Sequence, residues 1–243
     1  MIRAIFDLHK GRYGVRRIYQ QLRRQGVQIA YKRVQRLMSA LGLVSVHPRP
    51  RRTTTVQAAE PSSLPDLVHQ DFTAAAPNQL WYGDISYVFT GDGWAYVASV
   101  IDAFSRKVVG WAVADHMRTE LVLDALKMAL ERRRPPEGVI FHADRGSQYT
   151  SHDFVRFCKA NGVRNSVGRT GICYDNAAAE SFWATLKKEF IHLHPFDTVE
   201  RLRSGIFEYI EVYYNRQRIH STIDYLTPDE FEIKFDRRYM TAA

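Results

Sequence analysis

Residues 80–90 read LWYGDISYVFT, 94–104 read WAYVASVIDAF and 106–115 read RKVVGWAVAD. All three runs are dense in Val, Ile, Tyr and Trp, side chains that fit a pleated, half-buried surface. GDG at 91–93 supplies the turn between the first two, and SR at 105–106 turns the second into the third. Three antiparallel strands in succession are predicted. Beyond them the texture changes. Leu121, Leu123, Ala125, Leu126, Met128 and Leu130 form the apolar positions of a helix capped by Thr119. The stretch GVIFHADRGSQYTS (138–151) holds a short buried strand, and Thr150-x-x-Asp153 is a capping box opening the next helix. VRNSV (163–167) is another short strand, and NAAAESFWATLKKEF (176–190) another helix. Strands followed by helix–strand alternation predict an α/β fold, a mixed sheet with helices packed on it. No internal repeat interrupts this order.

A chain of 243 residues, 45% hydrophobic and 25% charged, can bury a real core. No run approaches the ~18 apolar residues of a membrane span, and the start lacks a signal-peptide layout, so a cytoplasmic location is expected. Two cysteines, Cys158 and Cys173, are too few for a disulfide framework. The histidines show no zinc-finger spacing, and His192 with His194 reads as a polar helix-end pair.

Net charge is +8, unevenly spread. Residues 1–60 hold 13 Lys and Arg against Asp7 and Glu60, a net of +11, while the remaining 183 residues carry −3. A basic arm on a mildly acidic body points to a phosphate backbone as partner, without sequence information of its own. Inside the arm Val15, Ile18, Tyr19 and Leu22, then Val34, Leu37, Met38 and Leu41, repeat at helical spacing. Gly26 lies in the turn between them. Arg16, Arg17, Arg23 and Arg24 line the other face of the first helix, and Lys32, Arg33, Gln35 and Arg36 that of the second. Two short helices around a Gly-bearing turn predict a helix-turn-helix unit over 1–45, with Arg16, Arg17, Lys32, Arg33 and Arg36 as DNA contacts. The plainer alternative is a basic hairpin that only packs on its neighbour. An earlier helix, Ile2–His9, starts abruptly, as if the region continued upstream. A linker rich in Pro, Thr, Ser and Arg follows over 46–79, then the core over 80–195 and a helical extension over 196–243.

Carboxylates interrupt the apolar runs at three places. Asp84 sits in mid-strand, Asp144 ends the strand at 139–141, and Glu180 lies in the opening turn of its helix, capped by Asp175 or Asn176. Singly, each has an ordinary reading as a salt-bridged Asp, a turn former and an answer to the helix dipole. Gathered, the three would repel one another and raise their pKa values unless divalent cations held them. Their hard oxygens suit Mg²⁺ or Mn²⁺, and two such ions support in-line phosphoryl displacement.

WYGDISY, HADRGSQYTS and YDNAAAESFWATLKKE resemble the three blocks of the DDE transposase and retroviral-integrase superfamily, most of all bacterial insertion-sequence transposases of the second-reading-frame type. Asp144 and Glu180 are separated by 35 residues, as in that family's pattern, and Lys187 stands seven positions after the Glu. YYNRQRIHSTIDYLTPDEF (213–231) resembles the closing segment, with Thr227-Pro228-Asp229-Glu230 as a capping box. The likeness spans nearly the whole chain. Ala143 and Ser86 depart from it conservatively, where Ser and Thr are common. It implies a ribonuclease-H-like core with Asp84, Asp144 and Glu180 as catalytic metal ligands for two Mg²⁺ or Mn²⁺ ions, and Lys187 against a DNA phosphate. The implied activity is cleavage at element ends followed by strand transfer. The implied partners are double-stranded DNA, further copies of the chain, and an upstream-frame DNA-binding protein joined by frameshifting, all in the bacterial cytoplasm at the nucleoid.

The rivals are a ribonuclease-H-like metal nuclease that cuts without joining and a non-catalytic DNA-binding derivative. Asp102 reads as a turn former, His142 as support for Asp144, Arg145 as partner of an acid or a phosphate, and Trp183 as packing. Ser147, Gln148 and Tyr149 are placed to meet DNA or support their loop. Residues 168–176, GRTGICYDN, form a loop expected to close on DNA. Tyr213, Tyr214, Arg216, Arg218 and His220 read equally as a contact for DNA or a second subunit and as a plain helix end.

Overall fold

The computed structural model describes residues 1–46, 64–168 and 177–242. The linker over 47–63, the caps expected at Asp175 or Asn176 and nearly all of the Gly-bearing loop lie outside them.

The three runs rich in Val, Tyr and Trp are β1 (Leu80–Thr90), β2 (Gly93–Asp102) and β3 (Val108–Ala114), antiparallel in sequence order. Gly91 and Asp92 turn the first hairpin, and Arg106 takes φ 64° in the second turn. Next come α4 (Thr119–Arg133), β4 (Ile140–Ala143), the short α5 (Ser147–Thr150), α6 (His152–Ala160) and β5 (Arg164–Val167). The sheet order is β3-β2-β1-β4-β5, with β4 parallel to β1 and β5 parallel to β4. This is the expected mixed sheet.

Strand alternation sorts the core into two layers. Trp81 and Phe141 face α4 and α6, packing with Leu121, Leu126 and Phe154. Leu80, Tyr82 and Val88 face α7 (Ala177–Glu189) and α8 (Val199–Phe207), with Phe182, Leu186, Leu202 and Ile206. Two glycines let the layers close. A Cβ on Gly110 would stand 2.1 Å from the Ala125 carbonyl oxygen, and one on Gly83 would stand 2.1 Å from Cζ of Phe141.

Two helix starts differ from expectation. Ser151, not Thr150, caps α6, accepting the Phe154 amide, because Thr150 still belongs to α5. Thr119 is already inside α4, whose N-cap position is Arg118. The box at Thr227 forms as expected: Thr227 N–H donates to Glu230 at 2.8 Å, and Glu230 N–H returns to Thr227 Oγ1 at 3.2 Å, opening α9 (Pro228–Ala242).

In the basic arm stand α1 (Ile2–Leu8), α2 (Val15–Arg24) and α3 (Tyr31–Ala40). Ile2, Ile5, Ile18, Leu22, Val34 and Met38 are buried and belong to the same cluster as the α7–α8 layer. Polar contacts fasten them to the C-terminal region. Arg12 Nε donates to the Glu189 carbonyl at 3.0 Å, Tyr13 Oη donates to the Gln217 carbonyl at 3.0 Å, and Arg24 pairs with Glu230. The arm is docked against the body. Among the described residues, no helix is long and apolar enough to cross a membrane.

Candidate active site

Parallel pairing sets the first two acids side by side. Tyr82 is level with His142, so two residues further along each chain bring Asp84 and Asp144 together where β4 ends. Asp84 Oδ1 accepts the Ile85 amide at 2.8 Å. Burial pushes its carboxyl from 3.8 up to about 7; Asp144 and Glu180 push the same way, against the Ile85 amide and Lys187. All three acids and the lysine therefore act on one point. Asp144 is exposed, and its Oδ1 accepts the Gly146 amide at 2.9 Å. A Cβ on Gly146 would stand 2.9 Å from that oxygen, so a glycine suits this turn.

Glu180 is exposed in the first turn of α7, which packs on β1 through Ala179, Phe182 and Leu186. Lys187 follows nearly two turns later on the same side, about 10 Å along the axis. Its ammonium lies 5.4 Å from the centroid of the Tyr87 ring, and burial lowers its pKa while Asp84 opposes that shift. Tyr149 is buried beneath, packed on Phe141 and Phe154. Its hydroxyl is pushed well up by burial, then by Asp84 and Asp144. Of the three residues expected to meet DNA or support the loop, Tyr149 supports it, and Gln148 reaches the Met117 carbonyl at 2.9 Å. Among the described residues, no group of three or more His, Cys, Asp and Glu is closed tightly enough to hold a metal ion. The carboxylates converge without forming a finished ligand set.

The neighbours take structural roles. His142 turns inward, Nδ1 2.9 Å from Ser166 Oγ. Arg145 spans the turn to donate to the Gly168 carbonyl at 2.7 Å. Asp102 is fully buried and gathers the amides of Asn78, Phe104 and Ser105 with the Trp81 indole, a turn hub as expected. Trp183 packs on Phe182.

The candidate DNA contacts divide. Arg16 is exposed on α2, and Lys32, Arg33 and Arg36 are exposed on α3, where only Val34 and Met38 are buried. Arg17 is different. It is half-buried, donates to the Ile219 carbonyl at 3.1 Å and lies 3.9 Å from Glu189. The interior engages the guanidinium that the helical wheel had turned outward. Tyr213, Tyr214, Arg218 and His220 are likewise interior, leaving Arg216 exposed. Arg218 grips Glu189 with two hydrogen bonds, 2.8 and 2.7 Å, and Tyr209 adds a third at 3.0 Å. Burial alone would raise the Glu189 pKa; Arg218, with Arg17 and Tyr209, brings it below the usual value. This hub was missed because its members lie far apart in sequence. The buried acid Glu189 ending an amphipathic helix was the one available signal.

Known proteins resemble this chain over most of its length. An integrase core domain family matches residues 74–173, a second integrase core domain family matches 180–235, and an HTH-like domain family matches 1–51. The Lactococcus lactis transposase for insertion sequence element IS904 is 42% identical over 231 residues, 95% of this chain and 91% of that protein. The Escherichia coli transposase InsF for insertion sequence IS3A is 42% identical over 234 residues, 96% of this chain and 81% of that protein. Among solved structures, the simian T-cell lymphotropic virus intasome in complex with PP2A regulatory subunit B56 gamma aligns at a TM-score of 0.51 and 13% identity, over 90% of this chain and 70% of that one. The HTLV-2 integrase catalytic core domain in complex with magnesium, in its trimeric form, aligns at 0.50 and 15%, over 65% and 98%. The fold is that of a retroviral-integrase core carrying an HTH-like domain. The integrase core domain matches, with the transposase relatives, place the protein in the transposase and integrase superfamily of polynucleotidyl transferases. Within it, the chain belongs to the IS3-family insertion-sequence transposases.

Proposed function

We propose that the chain cleaves DNA at the ends of its element and transfers the freed 3′-hydroxyl to a target phosphodiester. The convergence at Asp84 carries this reading: a strand-centre carboxyl held at about 7 by burial and by two further acids. Such a carboxyl is poised to release its proton to solvent as a cation binds near neutral pH. Asp84, Asp144 and Glu180 fit a hard divalent ion by donor chemistry, and they would hold Mg²⁺ or Mn²⁺, two ions per site. When bound there, such ions would supply charge neutralisation at the attacked phosphodiester. The chain's own residues do the rest. β1 and β4 hold two acids level, α7 brings the third across the sheet face, and Lys187 meets a phosphate beside them. Exposed Arg16, Lys32, Arg33 and Arg36 hold double-stranded DNA, while Arg17 braces the arm from inside. Joining two element ends calls for a homo-multimer.

A nuclease without strand transfer has no need of the docked helix-turn-helix arm, and a non-catalytic binder has no need of three converging acids. Asp84→Asn, Asp144→Asn and Glu180→Gln should each cut Mg²⁺-dependent strand transfer by at least about a thousandfold while DNA affinity stays within about twofold. Full joining by Asp144→Asn would end the proposal.

A further inference from the structure

On the β1–β2 hairpin, Tyr87, Phe89 and Trp94 are exposed at 56%, 67% and 52%, side chains that a folded chain ordinarily covers. Phe89 and Trp94 are paired across the ladder, and the Trp94 ring meets both Tyr87 and Phe89 edge-on at 5.2 Å between centroids. The three form one platform. Its base is rigid: Gly91 N–H donates to the Phe196 carbonyl at 2.9 Å, and Asp92 accepts the Val199 amide at 3.1 Å.

We infer that this platform stacks unpaired nucleobases of the DNA strand that leaves the active site. The placement argues for it. Tyr87 stands three residues beyond Asp84 on the same strand and Phe89 five, about 10–17 Å away, the span of about three to five nucleotides at ~3.4 Å each. Alternation puts Asp84 and Tyr87 on opposite faces, but β4 pairs with β1 only from Leu80 to Tyr82, so among the described residues no strand of the sheet closes that edge between them. Lys187 meets both sides: its ammonium acts on Asp84 and lies over the Tyr87 ring. A cation at the rim and ring faces beyond it are the two elements that single strands use, phosphate attraction and stacking. A second copy docking here would want aliphatic area rather than a lysine at the border. The inference takes its polymer, DNA, from the proposed function.

The test uses the full chain in EDTA, where no chemistry occurs, with duplexes bearing a five-nucleotide unpaired 5′ or 3′ end containing 2-aminopurine, against blunt duplex. Expected is quenching of 2-aminopurine by the parent and about tenfold tighter binding of one overhang over blunt DNA. Phe89→Ala/Trp94→Ala should lose both, with blunt affinity unchanged. Phe89→Leu/Trp94→Leu, which keeps apolar area without rings, should lose them too. Asp144→Asn should keep the quenching while losing strand transfer, which separates this inference from the proposed function. No overhang preference in the parent, its survival in the alanine variant, or a parent dimer in sedimentation that the alanine variant disperses would each overturn the inference.

Discussion

Asp84 has a carboxyl pKa of 3.8 before folding and about 7 after it. Between those values the unfolded chain has lost its proton and the folded one keeps it. Stability contributed by the protonated group is therefore present at acid pH and lost as pH rises from about 4 to 7. The site is built against the fold's own stability, and a cation should restore what it costs. At pH 8 in EDTA, Asp84→Asn is expected to melt about 4–8 °C above the parent, from roughly 2 kcal/mol after allowance for solvent relaxation. Mg²⁺ should raise the parent's melting temperature and leave that of the variant flat. Calorimetry across pH 5–8 checks both, and a variant with the parent's pH profile would show that Asp84 is not desolvated. From the sequence, a carboxylate amid Trp81, Tyr82 and Ile85 already signalled an unusual group. That burial outweighs its acidic neighbours was not legible, because desolvation depends on what covers a residue in space.

At the scale of elements, the register between β1 and β4 decides the site. Gly83, beside Asp84, gives the Phe141 ring the space that a Cβ would occupy, 2.1 Å from Cζ. Gly83→Ala must push Phe141, and with it the strand that ends at Asp144. The expected cost is about 1–3 kcal/mol of stability from overpacking, with a larger loss of strand transfer than of DNA binding. Gly83→Ala/Phe141→Leu should recover most of both, measured by urea unfolding and a joining assay; no recovery would place the damage elsewhere. Strands β1 to β3 were legible from their composition, and the Thr227 box from its spacing, since both are local signals. The cap of α6 shifted by one residue because α5, four residues long, consumed Thr150. Such a short turn has no periodicity to read.

For the whole molecule, Glu189 is the joint between arm and body. Its side chain holds Arg218, its carbonyl accepts Arg12, and Arg17 reaches it from α2. Removing the carboxylate leaves a buried guanidinium without its counter-charge, which costs about 3–5 kcal/mol. Glu189→Gln should lower the urea midpoint and speed hydrogen exchange in α2 more than in β1–β3. Equal loss of protection across both regions would mean that the hub supports the core generally rather than the docking of the arm. The docking fixes the orientation of α3, and its exposed Lys32, Arg33 and Arg36, relative to the three acids.

The linear chain by itself determined the succession of strands and helices, the helix-turn-helix pattern and the spacing of the three acids. These follow from periodicity, turn chemistry and motif, all carried by neighbours within a few turns or strand lengths. Only the tertiary structure decided that Arg17 and Arg218 face inward, that Glu189 joins the two ends of the chain, and that three aromatic rings stand uncovered beside Asp84. Those outcomes depend on which surfaces meet, and a side chain amphipathic on its own helix takes its final environment from a partner some 200 residues away.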